Sequence, residues 1–151
     1  AIAFGVLPVT GAAWLQGASI DSTLILFSIP VSAWVAAILL INEVPDAEAD
    51  GSCGKNTLPV RLGLRGAANL YFAIQVVAAG VVTLLAVQGH LPMLTPLVPI
   101  GLLVLAWKAA TGIRGGIENR ETMAQSIEAT LGIHTIGCLW LAGCALFALW
   151  F

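Results

Sequence analysis

Four times in this chain, a run of roughly twenty residues passes with almost no charge. The runs cover about Ser22–Asn42, Ala67–Val87, Met93–Thr111 and Thr122–Phe151, and a shorter apolar run covers about Ala1–Gln16. A helix rises about 1.5 Å per residue, so about 20 apolar residues cross the hydrocarbon of a bilayer. Runs of that length, repeated, exclude most soluble architectures. Charged residues make up 9% of the 151 residues, against about 25% in a soluble domain, so there are too few to coat a water-facing surface. The expected fold is all-α: a polytopic membrane protein of five transmembrane helices, in a single transmembrane domain over residues 1–151.

Local signals place several helix ends. Asp21 and Ser22 are good N-cap types, and Pro30 should kink the helix they start. Pro92, Pro96 and Pro99 crowd the beginning of the fourth segment. Thr122 and Gln125 fit a capping box, T-x-x-Q. Gly80, Gly101, Gly132, Gly137 and Gly143 would let helices approach closely. Trp residues read as packing or interface anchors. Cys53, Cys138 and Cys144 have the spacing of neither a disulfide framework nor a zinc site, and the last two read as packing residues. No basic run suits nucleic acid.

The six basic residues sort by loop. Lys55, Arg61 and Arg65 follow the second segment, and Lys108, Arg114 and Arg120 lie around the loop that follows the fourth. The loops Gly17–Asp21 and Gln88–Pro92 have no Lys or Arg. Helices alternate in direction, so all six fall on one side. The positive-inside rule makes that side cytoplasmic, with Asn42–Gly66 facing it. The opening AIAFGVLP has no initiator Met, basic n-region or cleavage site, and reads as the interior of a longer protein.

Charge is concentrated in one stretch, Asn42–Gly63, NEVPDAEADGSCGKNTLPVRLG. It holds four of the eight acidic residues and two of the six basic ones. Asp46 and Asp50 are one helical turn apart, which brings their Cβ atoms to about 5–6 Å. Asn42 would extend the row. Two carboxylates so close repel, and a hard divalent cation relieves that; Mg²⁺ binds through one or two carboxylates plus substrate phosphates. The glycines of GSCGKNT permit close backbone approach to a ligand. Lys55 is a point charge for phosphate, and Arg61 a bidentate partner. On spacing alone, a solvated polar loop accounts for the same residues equally well. Glu48 points away from the row, and Arg65 reads as an interface anchor.

The stretch as a whole is more specific than its spacing. D-x-x-x-D followed by G-K-x-T-L-x-V-R-L-G resembles the second Asp-rich motif of the UbiA-type membrane prenyltransferases. It is most similar to the branch that prenylates 1,4-dihydroxy-2-naphthoate in menaquinone synthesis. The tail AQSIEATLGIHTIGCLWLAGCAL also resembles that branch. The resemblance implies a helical bundle around a cavity, with Mg²⁺ and a polyprenyl diphosphate held between two Asp-rich motifs. Asp46 and Asp50 would be the Mg²⁺ ligands and catalytic residues, supported by Asn42. Lys55 and Arg61 would contact the diphosphate, with Asn56 and Thr57 as hydrogen-bond donors beside them. The partners implied are polyprenyl diphosphate, an aromatic quinone precursor and the lipid bilayer of the cell inner membrane.

This sequence departs from the family in two ways. The first motif, N-x-x-x-D-x-x-x-D, does not occur, so the chain is expected to be a C-terminal half, inactive without the N-terminal half of the same protein. Ser52 and Cys53 also stand where a basic residue is common. Two other functions compete: a cation-coordinating transporter subunit and a non-catalytic membrane half-protein. A cation pathway does not need the G-K-x-T-L-x-V-R-L-G block, and retention of the motif disfavours a non-catalytic remnant. Elsewhere, Glu128 is either a cavity acid or an interfacial one, His134 reads as a structural histidine, and Glu118–Glu121 as a polar loop that could instead act as a lid.

Overall fold

The computed structural model describes residues 2–116 and 119–148. After a 3₁₀ turn at Ile2–Phe4 come six helices: α1 (Val6–Leu15), α2 (Ser22–Glu43), α3 (Ala47–Ser52), α4 (Leu58–Val87), α5 (Leu97–Gly115) and α6 (Arg120–Ala148). Four of them, α2, α4, α5 and α6, are long and apolar enough to cross a membrane. The first expected segment, residues 1–16, forms the 3₁₀ turn and α1, a shorter apolar helix of ten residues, about 15 Å long. It packs against α2.

The four long helices close into a ring, α2 against α4, α4 against α5, α5 against α6 and α6 against α2. Small residues line the contacts: Ala33 and Ala37 on α2, Ala67, Ala68 and Ala78 on α4, and Ala106, Ala109 and Ala110 on α5 are all buried. Small side chains bring backbones together, the packing that holds helices where lipid is as apolar as the interior. Trp34, Ile41, Tyr71, Leu85, Ile113 and Ile133 fill the space between. The outer surface is apolar too: Val104 is 63% exposed and Leu139 70%. An apolar interior inside an apolar exterior is what a lipid-bathed bundle requires.

Among the expected interhelical glycines, Gly137 alone touches a neighbour, the indole of Trp34. Gly80, Gly101, Gly132 and Gly143 have nothing within 4 Å of where a Cβ would sit. Alanine does most of the close packing instead.

Helix ends follow identifiable chemistry. Asp21 accepts a hydrogen bond from the Leu24 N–H at 2.8 Å and caps α2 as expected. The helix runs unbroken through the buried Pro30. The expected capping box at Thr122 is replaced. Asn119 accepts from the Thr122 N–H at 3.1 Å and its carbonyl from the Met123 N–H. Asn caps as well as Ser or Thr, so α6 begins earlier, at Arg120. Helix α5 begins later than Met93, at Leu97, because the prolines hold Met93–Pro96 in turns, and it runs on to Gly115.

Helix α4 begins nine residues before the expected Ala67. A first turn, Leu58–Leu62, has Pro59 at its second position, and the helix then breaks at Gly63 (φ 67°, ψ 168°). Only glycine occupies that backbone region at little cost. The break separates a short surface turn carrying Arg61 from the membrane-spanning part of α4.

Polar contacts also tie the ring together near its two ends. The Arg114 guanidinium on α5 donates to Asn69 Oδ1 on α4 at 3.1 Å and lies 5.4 Å over the Trp107 ring. Trp107 in turn packs edge-on against Phe72, with centroids 5.3 Å apart. At the other end, the Trp140 indole N–H donates to the Thr95 carbonyl at 2.8 Å.

Candidate functional site at the charged mouth of the bundle

The antiparallel order brings the end of α2, all of α3, the start of α4, the end of α5 and the start of α6 to one end of the ring. All six basic residues belong to these elements or their connections. Helix α2 stops at Glu43, and Val44 and Pro45 turn the chain before α3 begins. Asn42 is therefore on α2 and exposed, and the expected continuous row from Asn42 through Asp46 to Asp50 is broken by this turn.

Asp46 and Asp50 remain one helical turn apart. Asp46 is the N-cap residue of α3, and the Asp50 N–H donates to its carbonyl at 2.8 Å. Asp46 is exposed; the Asp50 side chain retains 15% of its exposure. The chain then reverses through Gly54 (φ 76°), a left-handed position suited to glycine. This turn lets the Lys55 N–H donate to the Asp50 carbonyl at 2.9 Å. It also brings Lys55 Nζ to 2.8 Å from Asp50 Oδ1. Asp50 and Lys55 are thus joined twice, by backbone and by an ion pair. The hydrogen bond to Asp50 and its charge, with a smaller contribution from Asp46, raise the Lys55 pKa above 10.5.

Arg61, Asn56 and Asn42 are exposed at the same end. Among the described residues, no hydrogen bond or ion pair joins their side chains to the Asp46–Asp50–Lys55 group. Two polar atoms are held inside this end without a hydrogen-bond partner, Glu43 Oε2 and Thr57 Oγ1. Glu43 escaped the sequence argument, although an acid in the last turn of an apolar helix is itself a signal of function.

Two clefts flank Pro45. One, of about 440 Å³, lies between α3, the first turn of α4 and the end of α5, and includes Glu48, Gly51, Gly63 and Gly116. The other, of about 380 Å³, is bounded by Arg120, Met123, Ala124 and Ile127 of α6. Neither is lined by Asp46 or Asp50.

Among the described residues, no group of three or more His, Cys, Asp or Glu could hold a metal ion. An all-protein cage is therefore not formed. Two carboxylates a turn apart still suit Mg²⁺, which completes its shell with phosphate oxygens and water. Among the described residues, no hydrogen bond or ion pair engages the second Asp50 oxygen or either Asp46 oxygen.

Elsewhere, Glu128 is exposed on α6, and His134 Nδ1 lies 3.7 Å from Cys138 Sγ. Cys138 and Cys144 pack against the core as expected. In the loop before α6, Ile117 and Glu118 lie outside the described residues, as do Leu149–Phe151.

A ring of four spanning-length helices, with all six of its Lys and Arg residues gathered at one end, defines a polytopic helical membrane protein. The chain belongs to the UbiA prenyltransferase family, whose sequence profile matches residues 1–124. Over 60 residues it is 50% identical to a 1,4-dihydroxy-2-naphthoate octaprenyltransferase from Haemophilus influenzae. That match covers 40% of this chain and 20% of the relative's length. No solved structure matches the chain by the same standard.

Proposed function

We propose that the complete protein carries out Mg²⁺-dependent transfer of a polyprenyl group from polyprenyl diphosphate to an aromatic acceptor, 1,4-dihydroxy-2-naphthoate, in menaquinone synthesis. The observation that carries this is the grouping of Asp46, Asp50 and Lys55 at the mouth of an apolar bundle. Family membership supports prenyl transfer, and the name of the Haemophilus relative supports the acceptor.

Asp46 and Asp50 hold the metal, which when bound neutralises charge on the diphosphate leaving group. Lys55 and Arg61 bind diphosphate oxygens as negative charge develops on them. Asn56, Thr57 and Asn42 donate hydrogen bonds in the same loop region. The apolar bundle of the complete protein takes up the hydrocarbon tail of the donor and excludes water from the allylic carbon where the C–O bond breaks. The acceptor's ring carbon then attacks, and the ring carboxylate leaves as CO₂.

The first Asp-rich motif, N-x-x-x-D-x-x-x-D, comes from the N-terminal half of the same protein in this proposal. These 151 residues alone are then inactive. The protein sits in the cell inner membrane, with Asn42–Gly66 on the cytoplasmic side, because all six cations lie at that end. The test is prenyl transfer by the full-length protein at varied Mg²⁺. Asp46→Asn and Asp50→Asn should each abolish transfer while membrane insertion is retained. Full activity in both variants rejects the assignment.

A further inference from the structure

We infer that Lys55 is the resident counter-ion of Asp50, and that it exchanges the carboxylate for diphosphate when the prenyl donor arrives, opening Asp50 to the metal. This rests on the prenyl-transfer function proposed above and adds an order of events to it.

The two partners differ in freedom. The Asp50 side chain is 15% exposed and belongs to α3. The Lys55 side chain is 68% exposed, and among the described residues its one hydrogen bond and ion pair is with Asp50. Its backbone is fixed at the base by the bond from the Lys55 N–H to the Asp50 carbonyl. A long flexible stem on a fixed base can swing its ammonium without moving the loop. Lys55 is therefore the partner that moves.

The closed pair opposes a cation in two ways. It occupies one Asp50 oxygen, and it places a positive charge 2.8 Å from the ligand atom. Metal alone must compete with that ammonium. Diphosphate removes the competition, because its oxygens offer Lys55 a more highly charged acceptor. By linkage, metal and diphosphate then raise each other's affinity through Lys55. Arg61 has no carboxylate partner among the described residues and is available to diphosphate throughout.

The experiment is a Mn²⁺ titration followed by electron paramagnetic resonance, on the full-length protein in nanodiscs, with and without inorganic pyrophosphate. Without pyrophosphate, Lys55→Gln should bind Mn²⁺ about threefold to tenfold more tightly than wild type, the size expected for removing one charge at a solvated site. Lys55→Arg keeps the charge and should stay close to wild type. With pyrophosphate present, the advantage of Lys55→Gln should shrink or reverse. Unchanged or weaker Mn²⁺ binding by Lys55→Gln without pyrophosphate overturns the exchange. Asp46→Asn and Asp50→Asn separate the two levels. If both bind Mn²⁺ like wild type, the metal site itself is wrong and the exchange falls with it. If both lose Mn²⁺ but Lys55→Gln gains none, only the exchange fails.

Discussion

The Tyr71 hydroxyl on α4 donates to the Thr130 hydroxyl on α6 at 2.7 Å, in the buried interior of the bundle. The direction is fixed by the next bond: Thr130 spends its own proton on the Ser126 carbonyl at 2.7 Å, so it can only accept from Tyr71. Helices α4 and α6 are thereby joined by a short polar chain.

That direction makes the two ends of the bond unequal. Tyr71→Phe leaves Thr130 still bonded to Ser126 and should cost about 0.5–1.5 kcal/mol. Thr130→Val strands the buried Tyr71 hydroxyl and should cost more, about 1–3 kcal/mol. Unfolding in mixed micelles at increasing denaturing detergent gives both values. Equal losses would contradict the assigned direction.

Gly137 meets the six-membered ring of a buried indole. A Cβ there would stand 2.8 Å from both Cη2 and Cζ2 of Trp34, and Trp34 is 2% exposed with no room to withdraw. Gly137→Ala should therefore destabilise by about 1–3 kcal/mol. Gly80→Ala, in open space on α4, is the control and should be neutral or mildly stabilising. The same detergent unfolding separates them.

At Gly63, the penalty comes from the backbone and not from crowding, since nothing lies within 4 Å of a new Cβ. Gly63→Ala should cost about 1–3 kcal/mol because φ 67°, ψ 168° is strained for any other residue. Thermal denaturation in detergent would show this; an unchanged midpoint would mean that the turn carrying Arg61 has another accessible conformation.

The Lys55 amine in the metal-free protein should titrate above 10.5, since its bond to Asp50 favours the charged form. Any stabilisation from this pair is complete below the unfolded-state pKa and is lost as pH rises through the higher folded one. Heteronuclear NMR of labelled lysine side chains reads the midpoint directly, and Asp50→Asn should lower it.

The membrane-spanning segments were legible because apolar runs near the bilayer's thickness have few other structures open to them. Pattern alone could not show where they stop. Leu58–Leu62 looks like loop in sequence, since charge and proline interrupt it, yet Thr57 and Pro59 start a helical turn there. Asn119 and Thr122 are both acceptable caps, and only the packing of α6 on α5 chooses. Small residues invited the inference of close contact at five glycines, but hydropathy is uniform around these helices. It does not say which face points inward, and alanine occupies most of that face. In the charged stretch, the one-turn spacing of Asp46 and Asp50 survived folding, whereas the extension to Asn42 did not, because Pro45 and its neighbours reset the helix. The Lys55–Asp50 pair lies five residues apart and depends on the reversal at Gly54, a tertiary detail that spacing rules for a continuous helix do not contain.

The gathering of every Lys and Arg at one end of the ring has a consequence for energetics. In the proposed reaction the ionic part of the donor enters at that mouth, and diphosphate departs through it. The hydrocarbon part moves sideways in the lipid. No net charge then traverses the electric field of the membrane, so turnover draws nothing from the proton-motive force and opposes none of it. The catalyst would run equally well in an energised cell and in a sealed vesicle with its gradients collapsed.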